Sequence, residues 1–319
     1  MNAQIANILN KLSKIMLMNG EPMKARAYKK AEETIIQMPI EIKTIDDLKG
    51  KPGMGKTMTK TIKEFLETGK NEIIEREETN PENVLCDVYG IGPKKAKELV
   101  ESNITTIEQL REQQHEVLND VQRKGLKFYE DILKRIPRSE IDIYKTAFKK
   151  VFDKKAPKEA KFEIVGSYRR NMESSGDIDV IITSGSQKVF EDFLDELVKK
   201  KIIVEILSRG KTKCLVISKI PQSSVYRRTD FLFAKPEEYP FATLYFTGSK
   251  GVNTVMRSRA LKMGYTLNEH GLSHMIKRDG KWVKGDLVKH DFPDEQSIFT
   301  FLKFDYKTPE ERIDTSSLF

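Results

Sequence analysis

The sequence predicts an α+β fold in three parts: an amino-terminal helical domain with helix-hairpin-helix motifs, a mixed or antiparallel sheet domain, and a small carboxy-terminal α+β subdomain. Three observations carry this. Apolar residues recur at helical spacing through the first part of the chain. Two Gly-hydrophobic-Gly turns, Gly53-Met54-Gly55 and Gly90-Ile91-Gly92, separate helical segments there. From Phe162 onward, short runs rich in Ile, Val and Phe replace the helical period, and they carry aspartates.

Ile5, Ile8, Leu9, Leu12, Ile15 and Met16 mark a first helix, and Asn19-Gly20-Glu21-Pro22 ends it before a second from about Met23 to Gln37. That second helix carries Lys24, Arg26, Lys29 and Lys30, either a solvated face or an anion-binding one. Each glycine turn opens a further helix, one with Met58, Ile62, Phe65 and Leu66 on a face, the other with Ala96, Leu99 and Val100. Glycine permits the tight turn and removes side chains, so amides at the helix start can meet a phosphate, with Lys56, Lys94 or Lys95 adding charge. Two such turns favour contact with a nucleic-acid backbone.

A polar helical stretch is expected from Ile104 to Asp120, a boundary at Pro137, and a helix from about Ser139 to Phe152. Strands follow at Phe162 to Ile182, Ile202–Ile206, Cys214–Ile217 and Tyr226–Phe233, with a helix over Val189 to Val198. After Pro240, Leu244-Tyr245-Phe246-Thr247-Gly248-Ser249 leads into a helix bearing Asn253, Arg257 and Arg259. Trp282 and the cluster of Ile298, Phe299, Phe301, Leu302, Phe304 and Tyr306 read as packing.

The 319 residues, 38% hydrophobic and 33% charged, suffice for a substantial core. A net charge of +8 suits an anionic partner or simple solubility. Cys86 and Cys214 stand apart with no Cys/His cluster, so free thiols are expected rather than a zinc site. No apolar run reaches the roughly 20 residues of a membrane span, and Asn7, Asn10, Lys11 and Lys14 interrupt any signal-peptide core. The expected place of work is intracellular, nuclear or cytoplasmic, a viral replication site or virion included.

The chemistry concentrates between Phe162 and Ile182. Strand alternation puts Asp177 and Asp179 on one face about 7 Å apart along the backbone. Carboxylates in so apolar a run need a positive partner, either metal ions or arginines. Gly166-Ser167 with Arg170 supplies donors for phosphate oxygens, so phosphoryl chemistry is the natural reading. Asp230, within Arg227-Arg228-Thr229-Asp230, is either a salt-bridge partner or a third metal-site carboxylate.

Taken together, Gly90-Ile91-Gly92-Pro93, Arg135-Ile136-Pro137-Arg138, Gly166-Ser167-Tyr168-Arg169-Arg170, Ser175-Gly176-Asp177-Ile178-Asp179, Arg228-Thr229-Asp230 and Tyr245-Phe246-Thr247-Gly248-Ser249 resemble the family X DNA polymerases of the beta type, over nearly the whole chain. The resemblance implies a helical lyase-like domain over 1–77, a DNA-binding subdomain over 78–138, a nucleotidyltransferase palm over 139–236 and a nucleotide-selection subdomain over 237–319. It implies short-gap-filling repair synthesis by two-metal transfer from a dNTP to a primer 3′-hydroxyl. Asp177, Asp179 and Asp230 would hold two Mg²⁺ ions, with Mn²⁺ as a substitute. Arg135, Ser167, Arg170, Ser175 and Gly176 would hold the triphosphate. Tyr245, Phe246 and Gly248 would line the sugar, and Asn253 and Arg257, with Glu269 behind them, the minor groove.

The DNA contacts implied are Lys24, Tyr28, Gly53, Gly55, Lys56, Lys60, Gly90, Gly92, Lys94 and Lys95. Backbone carbonyls of Lys49, Lys51 and Met54, and of Cys86, Val88 and Ile91, would each cradle K⁺ or Na⁺. The implied partner is gapped or nicked duplex DNA, bound by a monomer away from any membrane. The pattern departs from the family at four positions. Thr61 stands where the lyase lysine is expected and Met23 where a histidine is, so lyase activity is expected to be weak or absent, Lys60 and Lys63 being displaced around the helix. Lys250 replaces an aspartate near the incoming base, and Leu232 an arginine that competes for the catalytic aspartate. Neither a proofreading nuclease nor a phosphoesterase or phosphopeptide-binding domain is expected. The second reading is a template-independent nucleotidyltransferase, and the third a non-catalytic DNA-binding scaffold.

Overall fold

The computed structural model describes residues 1–154, 156–221, 223–312 and 318; residues 313–317 and 319, which the expected last subdomain includes, lie outside them. The chain forms two compact units, Met1–Tyr129 and Glu130–Leu318.

The first unit is helical throughout. α1 (Asn2–Met18) and α2 (Pro22–Ile36) pack as an antiparallel pair, burying Ile5, Leu9 and Leu12 against Tyr28, Ala31 and Ile35. α3 (Lys56–Thr68), α4 (Glu72–Glu78), α5 (Pro81–Cys86), α6 (Pro93–Glu101), α7 (Ile107–Glu112), α8 (Gln114–Val117) and α9 (Asp120–Lys127) follow. The expected polar helix from Ile104 to Asp120 is interrupted, because Thr106 and Asn119 each cap a new helix with a side-chain oxygen instead of continuing the old one. α10 (Tyr129–Ile132) is a single turn at the junction.

The two glycine turns are the same structure used twice. In the first, Leu48 O accepts from Lys51 N (3.1 Å) and Lys51 O from Met54 N (3.2 Å); in the second, Leu85 O accepts from Val88 N (3.2 Å) and Val88 O from Ile91 N (3.0 Å). Gly53 and Gly90 adopt φ of 78° and 88°, and Gly55 and Gly92 occupy the N-cap positions of α3 and α6. Gly53 faces the backbone of Ala31 on α2, while Gly90 faces Gln122 on α9, whose amide donates to Gly90 O at 3.0 Å.

The second unit is built on a five-stranded sheet of order β2-β4-β7-β6-β5, comprising β2 (Lys161–Ile164), β4 (Ile178–Thr183), β5 (Ile203–Arg209), β6 (Lys213–Ser218) and β7 (Arg227–Ala234). β4 and β7 run parallel and the other neighbours antiparallel, so the sheet is mixed. β1 (Ile136–Pro137) and β3 (Ser174–Ser175) make a short separate ribbon. Alternation sorts the faces: Ile178, Val180, Ile182 and Phe231 pack under α11 (Arg138–Phe152) and α13 (Lys188–Lys199) with Phe148, Phe190 and Phe193. Ile181 and Leu232 point the other way, onto Val165 and Ala242. Asp179 and Asp230 share the parity of that second face.

The chain continues through α12 (Gly166–Arg169), placed after β2, to α14 (Tyr239–Thr247), α15 (Lys250–Lys262) and α16 (Glu295–Phe301). β8 (Tyr265–Asn268), β9 (Gly271–Arg278) and β10 (Lys281–Leu287) form a second, antiparallel sheet, the β part of the expected carboxy-terminal α+β subdomain, whose strands the sequence did not place. Ile298, Phe299, Leu302 and Phe304 are buried as expected. Trp282 is not: its side chain lies 67% exposed on β10, two residues past the Asp279-Gly280 turn, whereas Tyr306 is partly exposed but packs edge-on against Phe299 with Arg312 over its ring.

Candidate active site

Parallel pairing of β4 with β7 sets Asp179 directly beside Asp230, and Asp177 lies one residue before β4. One carboxylate oxygen from each comes within 4.8 Å of the others, the one such group among the described residues that can hold a metal. Burial, with the charges of Asp177 and Asp230, pushes the Asp179 carboxyl up to about 8. Burial raises Asp230 as well, against the pull of Arg228 and Lys213. Three carboxylates this close require compensating positive charge. Arg228 supplies part by bonding Asp177 Oδ2, its Nε lying 3.8 Å from Asp230 Oδ1, and Lys213 Nζ lies 3.7 Å from Asp230 Oδ2. Asp230 Oδ1 nevertheless remains buried without a hydrogen-bond partner. An acid-only donor set with a buried oxygen that accepts no hydrogen bond fits a hard divalent cation.

Gly166 opens α12 with φ 63°, and a Cβ there would sit 2.3 Å from Asp179 Oδ2. Phosphate access is the expected reason for this glycine; the nearer constraint is the Asp179 carboxylate lying against the backbone. Beside it opens a cleft of about 550 Å³. Gly166, Ser167, Arg170, Gly176 and Arg135 line one side with Asp177 and Asp179. Tyr245, Phe246, Gly248, Asn253 and Arg257 line the other. Met172 and Lys250 also reach the cleft; Met172 was not singled out from sequence, since a lone methionine carries no motif. Ser175 is buried behind this wall, its hydroxyl accepting from Ser167 Oγ at 2.7 Å. Arg135 is exposed and tied to Ser174 through its Nε and Nη2. Arg170 donates to Thr247 O at 2.6 Å while its Nε is buried without a partner. Tyr245 and Phe246 meet edge to face, and Asn253 Nδ2 donates to Tyr245 O at 2.7 Å. Arg257 bonds Asn253 O and lies over the Tyr245 ring. Glu269 is near His270 rather than in the cleft wall.

Comparison with known sequences divides the chain in the same order. A helix-hairpin-helix domain model matches residues 1–71, the fingers domain of DNA polymerase lambda 83–133, the DNA polymerase beta palm 135–236 and the DNA polymerase beta thumb 242–313. The chain belongs to the family X DNA polymerases. It is 29% identical to DNA polymerase lambda of Arabidopsis thaliana, over 98% of this chain and 62% of that protein. It is 28% identical to DNA polymerase lambda of Rattus norvegicus, over 98% and 56%, and 25% identical to DNA nucleotidylexotransferase of Xenopus laevis, over 90% and 63%. The chain therefore spans about three fifths of the length of these relatives.

In this family X chain an ionic network without a sequence signature braces the cleft. Arg169 bonds Glu163 (2.7 Å), Thr247 Oγ1 (2.8 Å) and Glu295 (2.7 Å), and Arg312, fully buried, bonds the other oxygen of Glu295 at 2.5 Å. Arg312 O also accepts from Ser249 N, and Tyr239 donates to Glu163. β2, α12, α14 and α16 are thus held around the residues that follow Gly166. Only position along the chain could have linked these partners, and their separations have no period.

On the helical unit, Lys24 is paired with Glu21, whose carboxylate holds the ammonium pKa up, and Tyr28 is buried under α1. Thr61 faces the core on α3, whereas Lys60 and Lys56 are exposed. Lys95 bonds Glu98, and Lys94 is exposed at the start of α6. Lys51 O and Val88 O each accept one amide, which leaves each a second lone pair. No helix among the described residues is long and apolar enough to cross a membrane.

Proposed function

We propose that this chain is a template-directed DNA polymerase that fills short gaps in repair, transferring a nucleotidyl group from a dNTP to a primer 3′-hydroxyl. The observation that carries the reading is the Asp177–Asp179–Asp230 cluster with its orphaned Asp230 oxygen, beside a cleft edged by arginines and an aromatic pair. Asp177 and Asp179 would hold both of two Mg²⁺ ions, and Asp230 one, Mn²⁺ substituting. Bound there, the ions supply Lewis acidity toward the hydroxyl and the phosphate oxygens.

The chain's own residues do the rest. Arg170, Arg135, Ser167 and the Gly176 backbone hold the triphosphate, with Ser175 positioning Ser167. The Tyr245–Phe246 pair and Gly248 enclose the sugar, and Asn253 and Arg257 face the minor-groove edge. Asp230, its affinity for protons raised by burial, takes the hydroxyl proton as the new O3′–P bond forms and pyrophosphate leaves. The paired hairpins, through Gly53, Gly55, Gly90 and Gly92 with Lys56, Lys94 and Lys95, hold the DNA backbone, assisted by Lys24 and Lys60; Tyr28, expected to join them, is buried and instead packs the helix that carries Lys24. Carbonyls at Lys49, Lys51 and Met54, and at Cys86, Val88 and Ile91, cradle K⁺ or Na⁺. The four-part division at 77, 138 and 236 and a monomeric state belong to the same reading.

Extension on a one-nucleotide gapped duplex, compared with an open primer-template and with template omitted, tests it. Gap-dependent, templated addition is the expected result; equal addition without template would replace it with a template-independent transferase.

A further inference from the structure

The chain's single tryptophan is displayed rather than stored. β9 and β10 are joined by Asp279-Gly280, with φ of 50° and 76° between the paired Arg278 and Lys281. Two positive φ values in a two-residue loop make the tight hairpin turn that matches strand twist, so the ribbon is a defined platform. Trp282 faces Lys277 directly across it, and Lys284 faces Met275. Side chains alternate along strands, so Trp282, Lys277 and Lys284 share one surface, with Arg278 and Lys281 at the tip.

These four cations are exposed, and among the described residues none has an ion-pair partner; the ribbon's own acids are Asp279 and Asp286. Among the described residues no ring or cation covers the indole. A flat aromatic flanked by available cations is suited to a ligand that has flat rings and regularly spaced negative charges. A stacked duplex offers the charges but hides the ring faces, whereas an unpaired strand offers both.

We propose that the β9–β10 ribbon binds an unpaired nucleic-acid strand, one base stacking on Trp282 and adjacent phosphates meeting Lys277 and Lys284. This surface is separate from the cleft described above, and its recognition chemistry is argued from the ribbon alone.

Because Trp282 is the only indole, its fluorescence reports this ribbon and nothing else. The whole chain is titrated with oligodeoxythymidylate, with inorganic polyphosphate, and with phosphatidylserine–phosphatidylcholine vesicles. Quenching by the oligonucleotide, weakened by salt, and little change with polyphosphate is the expected result. By anisotropy of a labelled oligonucleotide, Trp282→Ala lowers affinity about tenfold and Trp282→Phe restores most of it, as loss and return of a stacking face require. Lys277→Ala with Lys284→Ala reduces the salt dependence. Unchanged emission with oligonucleotide, a response to polyphosphate that is equal and insensitive to Trp282→Ala, or a blue shift on vesicles alone would each overturn the inference. Gap filling measured alongside separates the outcomes: its retention with no quenching removes only the ribbon, and quenching without gap filling removes only the polymerase reading.

Discussion

The acidic end of the sheet and the lysine-bearing face of α3 differ in how far each matches what the sequence leads one to expect. The first brings together all three expected carboxylates, and the second carries Thr61 where a lysine is expected. The difference lies in how each is held. Asp179 is fixed by the β4–β7 register, by the backbone at Gly166 and, behind that, by the Arg169–Glu295–Arg312 network. Lys56, Lys60 and Lys63 project from an exposed helical face where each can change without moving another. Chemistry built into the packing is costly to lose; chemistry on a solvated face is not.

Breaking the packed side should therefore have the largest effect. Arg312→Ala leaves Glu295 buried with half its partners, and a loss of about 3–5 kcal/mol in denaturant unfolding is expected. A loss under 1 kcal/mol would show that the network is incidental. Gly166→Ala forces a Cβ onto the Asp179 carboxylate at a positive φ and should cost about 2–3 kcal/mol together with nucleotide addition. Full activity in that variant would mean Asp179 has room to move.

The same cluster sets a pH dependence. The Asp179 carboxyl is lifted in the folded chain, so its neutral form favours folding below the unfolded value of about 4. That contribution is lost as pH rises toward about 8. Metal-free protein should lose thermal stability between about pH 4 and 8, Mg²⁺ should restore more of it at pH 8 than at pH 5, and Asp179→Asn should flatten the slope. A magnesium effect that is uniform with pH contradicts the assignment of these carboxylates.

Smaller effects belong to exposed positions. Trapping with borohydride on an incised abasic site should give little or no adduct, and Lys60→Ala should shift stability by less than about 0.5 kcal/mol. A strong adduct lost in Lys60→Ala would identify a displaced nucleophile. Lys250→Asp, at the cleft edge, should weaken dNTP binding a few-fold in a salt-dependent way, and unchanged affinity would remove Lys250 from nucleotide attraction.

The Asp177–Asp179 pair and the hairpins were legible because both have local signatures: alternating aspartates among β-branched residues, and glycine turns followed by lysines. Asp230 was ambiguous until parallel pairing set it beside Asp179. The Glu163–Arg169–Glu295–Arg312 network was not legible, since ion pairs distant along the chain impose no period. Trp282 misled for another reason. Its apolar identity suggested core, although Asp279-Gly280 between Arg278 and Lys281 already marked a hairpin tip, where a side chain has little to pack against.

The central claim is that Asp177, Asp179 and Asp230 form a metal-dependent centre for templated addition. It is tested most directly by Asp230→Ala on a one-nucleotide gapped duplex, with Mn²⁺ binding followed in the same preparation. The expected result is a folded protein with weakened Mn²⁺ binding and addition reduced about a hundredfold or more. Normal primer extension by that variant would contradict it.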